Sequence, residues 1–199
     1  MSKAHSHIIF SMLLFLSACT GKNITGRFYT EQQAELDSIK NLYGALYAQH
    51  PFSMAFTDKG FQNISLDIHT DSLTYIYDFQ VADPRLRDTL RHYDFALSGT
   101  MQLIRLMQTI KSTWVNRFDY YSNGKKEHMI MISVKPRAFK PIFGSRKYYI
   151  LTYYAQPQLF DEKGNLLDRR RSRRLRKING ISFQRINDSI CYGISAQFR

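Results

Sequence analysis

Met129-Ile130-Met131-Ile132-Ser133-Val134 is the stretch that decides the fold. Successive side chains of a strand point to opposite faces, so this run is apolar on both. A strand with one wet face alternates apolar and polar residues, whereas one apolar throughout is covered on both sides. The run therefore predicts an inner strand. The strand before it runs from Trp114 to Tyr121 and reaches it through the turn Ser122-Asn123-Gly124. After it, residues 136–145 hold two prolines and a glycine and read as a loop. Lys147 to Tyr154 is a further strand, rich in tyrosine. Asp161 to Asn165 is a turn. Ile181–Ile186, the turn Asn187-Asp188-Ser189 and Ile190–Phe198 form a closing hairpin, in which Ile190, Tyr192, Ile194, Ala196 and Phe198 alternate without a fault.

Upstream, the pattern changes to helical. Thr30 and Gln33 have the spacing of a capping box. Leu36, Ile39, Tyr43 and Leu46 then recur at helical intervals. His50-Pro51 ends the helix, because the residue before proline is pushed out of the helical region. Ile64, Leu66 and Ile68, then Leu73, Tyr75, Tyr77 and Phe79, alternate on either side of the turn His69–Ser72 and predict a hairpin. Asp83-Pro84 reads as a cap followed by a first helical position. That second helical region extends to about Ile110, with a break at Ser98-Gly99. The expected fold is α+β: two helical segments packed on an antiparallel sheet of about six or seven strands.

The start of the chain has another layout. Lys3 precedes the apolar run Ile8–Leu16, which is too short for a bilayer span of about 20 residues but suits a secretory signal. Leu16-Ser17-Ala18-Cys19 follows: an aliphatic residue, two small ones and a cysteine. This segment resembles the lipobox of bacterial lipoproteins, and the resemblance covers the N-terminal segment alone. It implies that Cys19 receives a diacylglycerol and becomes the acylated first residue. Residues 1–18 would then be the signal peptide, 19–29 a tether with Gly21 and Gly26, and 30–199 a single domain. Thr20, in place of an aspartate, and the lack of acidic residues in Thr20–Asn23 imply an outer-membrane protein facing the periplasm.

With Cys19 acylated, Cys191 is the remaining thiol, so no intramolecular disulfide is expected; it reads as a small buried residue on the last strand. The formal charge of +12 falls to +11 once Lys3 leaves with the signal. A basic protein attracts anions. Outside the cytoplasm these are lipid headgroups, lipopolysaccharide phosphates and acidic envelope proteins rather than nucleic acid.

Arg169, Arg170, Arg171, Arg173, Arg174, Arg176 and Lys177 fall within nine residues. Guanidinium groups grip phosphate and carboxylate in two-pronged fashion. The run reads either as a contact site for an anionic surface or as a solvated loop. Asp67 and His69 share one strand face and, with Asp71, have the types that hold a divalent metal; Asp71 falls in the turn, which breaks the alignment. The adjacent tyrosine pairs at 120/121, 148/149 and 153/154 each place one ring on either face of a strand. No paired cysteines, G-x-S-x-G elbow or H-E-x-x-H motif occurs, and no cofactor is implied. The expected role is binding or structural. An enzyme (a hydrolase acting on envelope material) and a carrier of an apolar ligand remain as alternatives.

Overall fold

Ile132 lies on the middle strand of a nine-stranded sheet. The computed structural model describes residues 20–122, 124–134, 148–168, 174–178 and 180–195. In chain order these form helices α1 (Thr20–Glu31) and α2 (Gln33–Gln49), then strands β1 (Phe52–Phe56), β2 (Asn63–His69) and β3 (Thr74–Gln80). Helices α3 (Pro84–His92) and α4 (Leu97–Ile110) follow. The rest is strand: β4 (Ser112–Ser122), β5 (Lys125–Val134), β6 (Tyr148–Tyr154), β7 (Lys177–Ile178), β8 (Ile181–Arg185) and β9 (Ile190–Ser195). The sheet order is β3-β2-β1-β4-β5-β6-β9-β8-β7, with every pair antiparallel. The α+β class is as expected. The finer count is not: there are nine strands and four helices among the described residues.

The run 129–134 is buried from end to end. Its even residues Ile130, Ile132 and Val134 join one core and its odd residues Met129 and Met131 another. The first core lies under the helices. Leu36, Ile39, Tyr43 and Leu46 of α2 point down onto it, and Tyr43 donates its hydroxyl to the carbonyl of Phe52 at 2.6 Å. Met101, Leu103, Ile104, Met107 and Ile110 of α4 complete the cover. Gly99 sits where α4 approaches α2: a Cβ there would meet Leu46 Cδ2 at 3.3 Å. No helix among the described residues contributes to the second core. Leu166 and Phe183, with Phe160, Ile178 and Ile181 beside them, close over Met129, Met131, Tyr154 and Cys191.

Several expectations change. The stretch expected as a tether is helical from Thr20, and the side chains of Thr25 and Tyr29 are buried. Contacts with the domain hold this polar, glycine-containing segment in a helix that its composition alone does not favour. Thr30 is no cap: its hydroxyl donates to the carbonyl of Gly26 at 3.0 Å, inside α1. α2 starts after Gln32 with no side-chain cap. The second helical region breaks at Tyr93–Ala96, before Ser98-Gly99, because Asp94 turns left-handed there with φ 55°. Asp83 does cap α3, accepting from the Arg85 amide at 2.9 Å. β1 was not foreseen; its five residues are buried on both faces and show no alternation to read. The loop at 136–145 lies outside the described residues, as do Cys19 and the signal segment.

Candidate functional site

The basic run stands on a short hairpin. The Asp168 amide donates to the Arg174 carbonyl at 2.9 Å, the Arg176 amide donates to the Leu166 carbonyl at 2.9 Å, and Leu167 bridges Leu175. Of the seven basic residues, Arg169, Arg170, Arg171 and Arg173 lie outside the described residues. Arg174 and Lys177 are exposed at the foot of the run. Arg176 is not. Its guanidinium lies over the rings of Tyr120 at 5.0 Å and Tyr154 at 5.8 Å. It also donates to Gln158 Oε1 at 3.3 Å. Gln158 is itself buried and donates to the Tyr120 hydroxyl at 3.3 Å. Arg176 therefore pins the hairpin to the second core, through cation–π contact of the kind that strengthens when water is excluded.

Cys191 lies in that same core, fully buried on the last strand. Burial pushes its thiol up to about 12, so it stays protonated at neutral pH and is a poor nucleophile.

Asp67 and His69 share the helix-free face of β2, and each is engaged across the sheet. Asp67 Oδ2 accepts from Ser53 Oγ at 3.0 Å. His69 Nδ1 lies 3.0 Å from Thr74 Oγ1. Asp71 sits beyond the strand end, in the turn. Among the described residues no three of His, Cys, Asp and Glu converge as a metal would require.

A cleft of about 500 Å³ opens where α2 crosses the ends of β5, β6 and β9. Its walls include Lys40, His128, Ile130, Tyr153, Ser189 and Ile190. Tyr153 is 5% exposed, and its hydroxyl has no hydrogen-bond partner among the described residues. Burial raises this phenol well above its usual range. His128 is held below the usual imidazole range, first by partial burial and next by the Arg117 cation; the carboxylates of Asp119 and Glu127 oppose the shift. The ring is thus neutral at neutral pH and can accept a proton or a hydrogen bond. No hydrogen bond links it to Ser189 or to another hydroxyl among the described residues. These residues come from four elements far apart in the chain. No spacing rule gathers them, and the isolated histidine was the sole trace of the cleft in the sequence.

No family model, no curated protein and no solved structure matches this chain.

Proposed function

We propose that the protein is a cell-envelope lipoprotein, held through acylated Cys19 in the outer membrane and facing the periplasm, that binds anionic headgroups and lipopolysaccharide phosphates through its basic hairpin. The observation that carries this reading is the division of labour within the run. Arg176 is spent on fixing the hairpin to the core, while Arg174 and Lys177 stand in solvent beside it. Charges carried on a fixed base lose less entropy on binding. Screening at physiological salt limits exposed charges to about 8 Å of reach, so contact has to be close. The buried side chains on both faces of the sheet pack against one another, which favours a binding surface over a carrier with an internal cavity.

The test is co-sedimentation of a soluble form beginning at Thr20 with vesicles of anionic or neutral lipid. Each basic residue near an anionic surface contributes about 1 kcal/mol. Changing Arg169, Arg170, Arg173 and Arg174 to Ser should therefore cut binding to anionic vesicles by orders of magnitude and leave melting unchanged. Equal binding by the variant, or equal binding to neutral vesicles, rejects the reading. If the parent ignores vesicles but its hairpin cross-links to an acidic envelope protein, the anion is a protein carboxylate surface instead.

A further inference from the structure

Among the described residues, β3 closes one end of the sheet and pairs with β2 alone. The amide of Val81 donates to the Gln62 carbonyl and that of Thr70 to the Leu73 carbonyl, each at 2.8 Å. Both pairs continue the β2–β3 register. In an antiparallel ladder such exchanges recur at every second residue. Tyr75, Tyr77 and Phe79 therefore turn their backbone toward β2. The amides and carbonyls of Thr74, Ile76 and Asp78 point out of the sheet, where another strand can pair with them, while the Gln80 carbonyl already accepts from the Asp83 amide at 2.9 Å.

Natural edges are normally blunted by lysine, proline, a bulge or shortness. β3 has none of these. It is seven residues long, its register is unbroken, and Asp78 is its one charge. Large apolar groups lie open along it: Leu73 is 57% exposed, Tyr75 38% and Ile76 65%. On the helix side, the rings of Tyr75, Tyr77 and Phe79 stack in a row, with centroids 6.5 and 5.9 Å apart. The charge pattern also singles out this edge. From Gly60 to Pro84 there is no lysine or arginine, in a chain of net charge +12. Two copies approaching here meet less cationic repulsion than anywhere the basic residues gather.

We propose that β3 pairs antiparallel with β3 of a second copy about a two-fold axis at Ile76, so that one sheet runs through both chains. The sequence around Ile76 reads the same from either direction in the features that matter. The two Ile76 side chains meet on the axis. On the opposite face, Tyr75 stands against Tyr77 of the second copy. Asp78 stands against Thr74, so the two carboxylates do not oppose each other, and exposed Leu73 falls against Phe79. An axis at Asp78 would set carboxylate against carboxylate, and one at Tyr77 would set Ile76 against Asp78. A two-fold contact of this kind is closed and stops at the dimer. One strand pair buries less than the roughly 1,200 Å² of a standard stable interface, so the dimer is weak when dilute and the membrane is the place to look for it.

The full chain in its own membranes supplies the test. Residues paired on the axis by mutual hydrogen bonds have Cα atoms about 5.5 Å apart, within disulfide range. The two Asp78 residues are about 14 Å apart at strand spacing, which is outside it. Under mild oxidation Ile76→Cys should give a disulfide-linked dimer well above the parent chain, and Asp78→Cys should not. Both positions are exposed, so neither change threatens the fold. As a second measurement, the parent at high concentration in non-ionic detergent should run as a dimer and Ile76→Lys at the same concentration, with two like charges on the axis, as a monomer. No Ile76→Cys dimer, equal yields at 76 and 78, or an unchanged mass for Ile76→Lys would each overturn the proposal.

Discussion

At one end of the sheet β3 stops with Tyr75 and Ile76 in solvent and a row of backbone groups facing out. At the other end the strands shorten to the two residues of β7, and residues 166–168 pair with 174–176 beside it, pinned by Arg176 on Tyr120 and Tyr154. The charge divides the same way. The open end has aspartates and no lysine or arginine from 60 to 84, while the closed end carries the arginine run. The lesson is that an edge can be protected by charge and irregular pairing, or left regular and apolar, and this molecule does one of each. A regular edge joins by backbone pairing and apolar contact. A charged hairpin joins by electrostatics.

Both ends hang on β5, so breaking the middle should harm them together. Ile132 is fully buried between Val115 and Leu151. Ile132→Ala should cost about 2–5 kcal/mol in denaturant melts, as cavity-forming core changes do. A loss well under 1 kcal/mol would mean that the centre of the fold lies elsewhere.

The closed end should break separately at Gly193. A Cβ there would lie 2.8 Å from Ile181 Cγ2 and 2.8 Å from Phe183 Cε1, so either the strand or these side chains of the neighbouring β8 must shift. Gly193→Ala is expected to cost about 1–3 kcal/mol by overpacking. Hydrogen exchange should show the loss of protection concentrated in β8 and β9, with β2 and β3 unaffected.

Arg174 and Arg176 sharpen the contrast within two residues. Arg176→Ala should lower stability by about 1–2 kcal/mol, because it removes cation–π contacts and leaves Gln158 short of a donor. Arg174→Ala should stay within about 0.5 kcal/mol of the parent. Equal effects in thermal melts would mean that the hairpin is not pinned where the structure puts it.

Much of this architecture was legible in the sequence, for physical reasons that differ by element. The inner strand could be read because covering both faces needs apolar residues at every position from 129 to 134. α2 could be read because one buried stripe imposes helical spacing on Leu36, Ile39, Tyr43 and Leu46. β1 left no such mark: five buried residues carry no period. α1 was missed because its helicity depends on burying Tyr29 against the domain, a tertiary effect. The break in the second helical region rests on the positive φ of Asp94, which no local pattern announces. The arginine run was visible as charge, but the different fate of Arg176 depends on rings more than twenty residues away in sequence. The cleft was invisible because Lys40, His128 and Tyr153 meet only after the sheet forms.

The smallest expected effect belongs to His128. Its folded pKa is depressed, so the folded state binds fewer protons than the unfolded chain as pH falls toward the usual imidazole value. Its contribution to stability is complete above about pH 6.5 and declines as pH drops below it. Partial burial sets most of this shift; the Arg117 cation adds to it, and the carboxylates of Asp119 and Glu127 oppose it. The melting temperature of the parent should therefore fall more between about pH 7.5 and 5.5 than that of His128→Gln. Parallel curves would show that the ring titrates alike in both states.

The two-ended account is tested most directly by sedimentation of the soluble form beginning at Thr20 over a salt series, with and without anionic vesicles. Raising salt should release the protein from vesicles, because that contact is electrostatic. In the vesicle-free arm the same salt should raise the dimer fraction, because it screens repulsion between two copies that each carry a net charge of +11 without Lys3. Opposite responses are the predicted result. If both contacts weaken together, or vesicle binding ignores salt, the assignment of charge to one end and strand pairing to the other is contradicted.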